Sequence, residues 1–324
     1  MDLGVCMISG KKILLTGGAG FIGSNIAHAL IYQNQITVVD NLVNGNQKNL
    51  SGLSGNNNFK FEEKDLLGEN SLESIEGIDL VMDFAAHAGI RDIGSDPKKY
   101  FMENISITAN VLEFMRKKDI RDMIFASTSS VYGETEKQPI PEDWPSIPIS
   151  SYGSSKVAAE ALIHSYSHYY GINARIMRFA NVLGKNSNKG ASYEFVRDLK
   201  KDPTMLTTFG SRYQTKSYIH VSDCISAMSN LFENSKKTDV FNIGTEDVLS
   251  LESLVSIIIE EMGLKDVKVT FGGDKLGRGW KGDVKSFILD ISKIKALGWK
   301  YKYNSEEAMR LAVRELLEQN RFGV

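Results

Sequence analysis

Of the twelve tyrosines in the chain, Tyr152 alone is followed four positions later by a lysine, in the run Y-G-S-S-K that ends at Lys156. On a helix that spacing sets both side chains on one face. An ammonium beside a phenol favours the phenolate. Bringing a tyrosine from about 10 to near 7 takes roughly 4 kcal/mol of differential stabilisation, which a closed cleft holding a second cation can supply. The product is a general base at neutral pH. Just upstream, Ser127 to Gly133 reads S-T-S-S-V-Y-G at the end of the apolar run Met123 to Ser127. A parallel strand there delivers hydroxyls to the mouth of the same cleft. Thr128, Ser129 or Ser130 could exchange a hydrogen bond with a substrate hydroxyl beside the Tyr152 oxygen, although a plain Ser/Thr turn after a strand explains any one of them as well.

A second chemistry is written at Lys11 to Gly23, K-K-I-L-L-T-G-G-A-G-F-I-G. Gly17 can make a tight turn, Gly20 lets backbone approach a phosphate, and Gly23 lets the next helix pack close to the sheet. A glycine triplet alone could be an ordinary loop. Here a buried strand precedes it, an amphipathic helix from Gly20 to Tyr32 follows, and a second strand, Gln35 to Val39, ends in Asp40. That is the pattern of a dinucleotide site, with the pyrophosphate at the helix start and the carboxylate on the adenosine ribose. Asp40 would repel a 2′-phosphate, and no Lys or Arg lies between it and Gln47 to bind one, so NAD is expected over NADP. The nicotinamide of that coenzyme is the second cation Tyr152 needs.

Alternating elements must position these groups. Strands are expected at Ile13 to Leu15, Ile36 to Val39, Phe59 to Glu62, Leu80 to Phe84, Met123 to Ser127 and Ala174 to Phe179, with helices at Gly20 to Tyr32, Lys98 to Lys117 and Ser154 to Tyr170. Repeated β-α-β connections imply an α/β fold, a Rossmann doubly wound parallel sheet that binds ligands beyond the carboxyl ends of its strands. After Asn181 the pattern loosens into a polar loop at Asn186 to Gly190, a helix at Tyr193 to Lys201 and a strand at Met205 to Phe209. V-F-N-I-G at Val240 to Gly244 reads as a late strand returning to the main sheet, followed by a helix from Ser250 or Leu251 to Met262. We expect an NAD-binding domain over residues 1–180, with segments near 215–248 returning to it, and a smaller discontinuous α/β lobe in 181–324 that binds substrate.

Composition sets the outer limits. The chain has 324 residues, 42% of them hydrophobic, and a formal charge of -2, which suits a globular protein and gives no reason to expect nucleic acid or an anionic membrane as partner. The first residues lack the apolar core and basic flank of a signal peptide, and no run is long enough to span a bilayer, so a cytoplasmic location is expected. Cys6 and Cys224 are too few for a disulfide framework. His164 and His168 sit four apart without a third ligand, so an exposed helix face is favoured over a metal site.

Taken together, the ordered motifs resemble the extended short-chain dehydrogenase/reductase family, in its NAD-dependent nucleotide-sugar epimerase and dehydratase branch. T-G-G-A-G-F-I-G at Thr16 to Gly23, V-D-N-L-V-N-G-N at Val39 to Asn46, A-A-H-A-G-I-R at Ala85 to Arg91, S-T-S-S-V-Y-G, Y-G-S-S-K, R-F-A-N-V-L-G at Arg178 to Gly184 and Q-T-K-S-Y-I-H-V-S-D at Gln214 to Asp223 carry the likeness almost end to end. The resemblance implies that Gly17, Gly20, Phe21, Ile22 and Gly23 hold the pyrophosphate, Asp40 and Asn41 the adenosine ribose, and Gly45 with Asn46 the nearby phosphate side. Asp65 and Leu66 flank adenine, Phe84, Ala85, Ala86 and Asn104 line the coenzyme's middle, and Lys156 touches the nicotinamide ribose. Thr128 takes the catalytic Ser/Thr position. For the sugar nucleotide the resemblance implies Thr128, Ser129 and Asn181, with Lys216 where an Arg is usual and Arg278 or Lys281 as a second cation. Phe287 stands where relatives control sugar size, or is a core aromatic.

Dehydratases of this branch carry Asp and Glu directly after the catalytic Thr; here those positions are Ser129 and Ser130. Epimerisation needs no such pair. The expectation is therefore an NAD-dependent 4-epimerase for UDP-glucose and UDP-galactose. The alternatives are an epimerase for UDP-GlcNAc or UDP-glucuronate, a dehydratase or reductase, and a non-catalytic NAD-sensing module, which would be expected to have lost Tyr152 or Lys156. A homodimer is expected through the helices Lys98 to Lys117 and Ser154 to Tyr170.

Overall fold

Ile13, Leu14 and Leu15 have no exposed surface because their strand, β1 (Lys12–Thr16), runs through the interior of a parallel sheet covered on both faces. The computed structural model describes residues 8–88, 96–273, 277–280 and 282–319. Around β1 stand β2 (Gln35–Asp40), β3 (Phe59–Glu63), β4 (Leu80–Asp83), β5 (Asp122–Thr128) and β6 (Asn173–Phe179), interleaved with α1 (Phe21–Leu30), α2 (Pro97–Lys117) and α3 (Ser151–Tyr170). The remaining elements are β7 (Asn181–Leu183), α4 (Ala191–Lys201), β8 (Met205–Thr208), β9 (Thr215–Lys216), β10 (Tyr218–His220), α5 (Val221–Asn234), β11 (Asp239–Ile243), β12 (Leu249–Ser250), α6 (Leu251–Glu261), β13 (Lys268–Phe271), β14 (Ser286–Phe287), α7 (Ser292–Ala296) and α8 (Ser305–Glu318).

The main sheet has seven parallel strands in the order β11-β6-β5-β4-β1-β2-β3. This is the expected Rossmann α/β fold, and β11 returns to the sheet beside β6. Side-chain alternation along β1 fills two separate cores. Ile13 and Leu15 pack with Ile26 of α1 and Met228 of α5, whereas Leu14 joins Val111 of α2 and Ile163 of α3 on the opposite face. A third cluster holds α4, α6 and α8 against Leu206 and Tyr218. It belongs to the later part of the chain.

Two boundaries matter for the site. α3 begins at Ser151, three residues before the expected start, because the Ser150 hydroxyl caps it by accepting from the Gly153 amide at 3.1 Å. Tyr152 therefore lies in the first turn and Lys156 in the second. β4 ends at Asp83, a carboxylate with 1% exposure in an otherwise apolar strand.

Candidate active site

The glycine turn is sterically obligatory. Gly17 has φ +65°, and a Cβ there would stand 2.7 Å from the Phe84 carbonyl; one on Gly23 would stand 2.4 Å from the Gly17 oxygen. Asp40 closes the far side, its Oδ2 accepting from the Ala19 amide at 3.0 Å and its Oδ1 from Leu42 at 2.8 Å. Burial pushes its pKa up, and these two amides oppose the rise. A Cβ on Gly45 would meet Asp40 Oδ1 at 2.7 Å, so the loop can cross only as glycine.

Between these elements lies a cleft lined by Gly17, Gly20, Asp40, Asn41, Gly45, Asp65, Leu66, Phe84, Ala85 and Ala86 from the sequence reading, and also by Asn44, Lys64, His87 and Ile107, which that reading missed. Lys64 is the one lysine or arginine of this lining among the described residues, and it is held by Glu62 at 2.7 Å and the Ser74 hydroxyl at 2.8 Å. The other expected residues support the cleft from behind. Gly23 backs onto Gly17, and Phe21 opens α1, its carbonyl accepting from Ser24 and Asn25. Ile22 packs on the core, and Asn46 donates its amide to the Ala19 carbonyl at 3.0 Å. Asn104, buried on α2, accepts from the His87 amide at 2.8 Å and donates to Ser155 Oγ at 3.0 Å. Ser155 in turn donates to the Tyr152 carbonyl at 2.8 Å, so Asn104 braces the first turn of α3. A glycine cradle beside a buried carboxylate fits a dinucleotide.

The strand-end hydroxyls and the helix meet at Gly153, which packs on the Ser130 carbonyl. Thr128 Oγ1 accepts from the Ser130 amide at 3.1 Å and lies 3.2 Å from Ser130 Oγ, so the Ser/Thr turn forms and its residues still line a cavity. Lys156, 3% exposed, sets its ammonium 4.5 Å from the Phe125 ring centroid. Burial lowers its pKa to about 8, opposed by the nearby charges of Asp83 and Glu160. Burial pushes the Tyr152 phenol up to about 12, and the lowering expected of it requires the coenzyme's nicotinamide in the cleft as well as Lys156. The Lys156 ammonium faces two carboxylates, Asp83 and Glu160, and Glu160 also accepts from Ser127 and pairs with Arg178 at 2.6 Å.

The second cavity, about 540 Å³, is of the size that small-molecule ligands occupy. Thr128, Ser129, Ser130, Asn181, Lys216 and Phe287 line it, as do Lys189, Asp198, Trp280 and Asp283, to which the sequence assigned no role at the site. Asn181 donates to the Ser217 carbonyl at 3.2 Å. Lys216 pairs with Asp283 at 2.7 Å and lies 5.3 Å from the Trp280 ring centroid. Phe287 is 7% exposed, packed in the core and facing the cavity at once. Arg278 is ion-paired with Glu134 and is not among the described lining residues; Lys281 lies outside the described residues.

Residues 13–244 match the family model described as the NAD dependent epimerase/dehydratase family. A putative UDP-glucose 4-epimerase of Methanocaldococcus jannaschii is 34% identical over 316 residues, covering 95% of this chain and 99% of that protein. The crystal structure of a UDP-glucose 4-epimerase from Thermotoga maritima with UDP-glucose superposes with a TM-score of 0.85 at 31% identity, covering 95% of this chain and 99% of that one. A UDP-glucuronic acid 4-epimerase from Bacillus cereus, in complex with UDP-glucuronic acid and NAD, gives 0.85 at 28% identity, with the same 95% and 99% coverage. With a glycine cradle, a strand-end carboxylate and a Tyr/Lys helix in one fold, and likeness along nearly its whole length, the chain belongs to the NAD dependent epimerase/dehydratase family.

Proposed function

We propose that this protein is an NAD-dependent nucleotide-sugar 4-epimerase that interconverts UDP-glucose and UDP-galactose. The observation that carries the reading is the Thr128 to Ser130 turn, which bears three hydroxyls and no carboxylate where α3 packs on it through Gly153. Eliminating water from a sugar needs an additional acid and base beside the tyrosine, and serine hydroxyls do not transfer protons near neutral pH. The carboxylates that do line the cavity, Glu194, Asp198 and Asp283, lie outside that turn, and Asp198 and Asp283 are ion-paired with Arg197 and Lys216. Full-length relatives named UDP-glucose 4-epimerase support the same reaction.

Bound NAD supplies the hydride acceptor and donor at C4 of the sugar. Tyr152 takes the proton of the C4 hydroxyl and later returns it, Thr128 and Ser129 hold that oxygen, and Lys156 provides the positive charge that makes phenolate accessible. Gly17, Gly20 and Gly23 with the start of α1 hold the pyrophosphate, and Asp40 holds the adenosine ribose. Asn181 and Lys216 hold the sugar-nucleotide diphosphate. Phe287 limits the room beside the sugar and disfavours N-acetylated hexoses. The cavity, about 540 Å³, would give a sugar oxidised at C4 room to turn over, and with the hydride returned to it no external reductant would be consumed.

We place the protein in the cytoplasm as a homodimer joined through α2 and α3, a pairing supported by the exposure of Tyr169 (74%) and Met102 (52%). Incubating the purified protein with UDP-galactose and a catalytic amount of NAD, without reductant, tests the activity. UDP-glucose should accumulate to a fixed ratio; a requirement for stoichiometric NADH, or no conversion with NAD present, overturns the reading.

A further inference from the structure

Asp83 is the one charged residue of β4, and it is 1% exposed. Its Oδ1 accepts from the Thr16 hydroxyl at 2.6 Å. The same hydroxyl oxygen accepts from the amides of Phe84 at 3.1 Å and Ala85 at 3.2 Å, and Phe84 is the residue whose carbonyl crowds Gly17. Oδ2 is buried and has no hydrogen-bond partner. Burial pushes the carboxyl's pKa up, and the Lys156 charge, the Thr16 hydroxyl, the Ala85 amide and the Thr108 hydroxyl of α2 oppose the rise, yet none completes a hydrogen bond to Oδ2. A buried oxygen left this way is expensive unless a charge answers it.

The answering charge is on α3. In the sheet register Asp83 stands directly beside Phe125, and the Lys156 ammonium lies over the Phe125 ring. The charges facing Lys156 are Asp83 from β4 and Glu160 from its own helix, with Tyr152 one turn before. Glu160 is already engaged by Arg178 of β6 and by the Ser127 hydroxyl of β5. The cation that acts most strongly on Asp83 is Lys156.

We propose that Asp83 is a positioning residue for the proton transfer: its carboxylate is the counter-charge that anchors the Lys156 ammonium over Phe125 and keeps it protonated. The inference rests on the reading of Lys156 as the partner of Tyr152. Through Thr16 the same carboxylate also ties the strand that carries the glycine turn to the helix that carries the base. Coenzyme cradle and proton-transfer pair are thereby held to one buried group.

Asp83→Asn keeps the shape and the acceptor for Thr16 and removes only the charge. With lysines labelled at ¹⁵Nζ and the signal assigned by its loss in Lys156→Met, the Lys156 titration midpoint should fall from about 8 in the unaltered protein by about 1–3 pH units in the variant. The alkaline limb of kcat/KM with UDP-galactose should move down by the same interval. An unchanged midpoint overturns the proposal. Should Asp83→Asn fail to fold, Lys156→Met reports from the other side: the Asp83 ¹³Cγ signal should titrate at higher pH than in the unaltered protein, and coincident curves overturn the proposal. Both titrations need no substrate. Absence of UDP-galactose turnover would therefore sink the epimerase reading and leave the pairing of Asp83 with Lys156 to be decided by its own measurement.

Discussion

A Cβ placed on Gly153 would come within 2.5 Å of the Ser130 carbonyl oxygen and 2.9 Å of Pro148 Cβ. The helix that carries Tyr152 and the turn that carries the strand-end hydroxyls approach each other only because residue 153 has no side chain. Gly153→Ala should fold, at an overpacking cost of about 1–3 kcal/mol. Displacing Tyr152 from the turn should lower kcat by about 10²-fold with a far smaller change in KM. Steady-state kinetics with UDP-galactose and a urea melt measure both, and unimpaired turnover would show that the contact is not needed.

Removing the phenol oxygen should leave the coenzyme cleft intact. Tyr152→Phe is expected to bind NAD as the unaltered protein does and to lose about 10²–10⁴-fold in kcat. In the unaltered protein Lys156, lowered by burial to about 8, is charged below that pH and neutral above it. The phenolate loses its supporting cation on the alkaline side, so kcat/KM should decline above about pH 8. A pH profile between 6 and 10 checks the sign: activity still rising through that range would exclude the role given to the ammonium.

Glu160 and Arg178, each with 7% side-chain exposure, form a buried pair at 2.6 Å beneath the site. Glu160→Gln strips the guanidinium of its counter-charge and should destabilise the fold by about 3–5 kcal/mol. The double variant Glu160→Met/Arg178→Met should recover part of that loss, since no uncompensated charge remains. Denaturant midpoints for the two variants settle the order.

Lys216 Nζ lies 2.7 Å from Asp283, on the wall of the cavity assigned to the sugar nucleotide. Lys216→Met should raise KM for UDP-galactose by about 10–100-fold, the range expected for one charge-assisted hydrogen bond, and should change kcat little. Calorimetric binding of UDP alone should weaken in parallel. Equal UDP affinity in the two proteins would move the diphosphate elsewhere.

The parts legible in the sequence are those encoded locally. Gly17, Gly20, Gly23 and Asp40 follow one another within a single β-α-β unit, so spacing alone places them. Asp83 was hidden inside an expected strand from Leu80 to Phe84, although a charge in a strand buried on both faces is itself a signal that a partner is needed. α8 was also missed, yet Asn304 and Glu307 form a capping box that announces its start. α5 is harder to read, because its buried face includes Ser226 and Ser229 among the apolar residues. The pairs Lys216 with Asp283 and Arg278 with Glu134 join residues 67 and 144 positions apart, and no local rule encodes such meetings.

Strand β11 pairs with β6 from Asp239 opposite Arg175 to Ile243 opposite Phe179. During synthesis β6 therefore waits with bare amides and carbonyls while residues 180–238 emerge, several seconds at about 5–20 residues per second. A stalled or shortened product ending before Asp239 presents an open template for pairing with its neighbours. Yield in a cell is then governed by the pace of translation across that interval as much as by the ruggedness of the finished molecule.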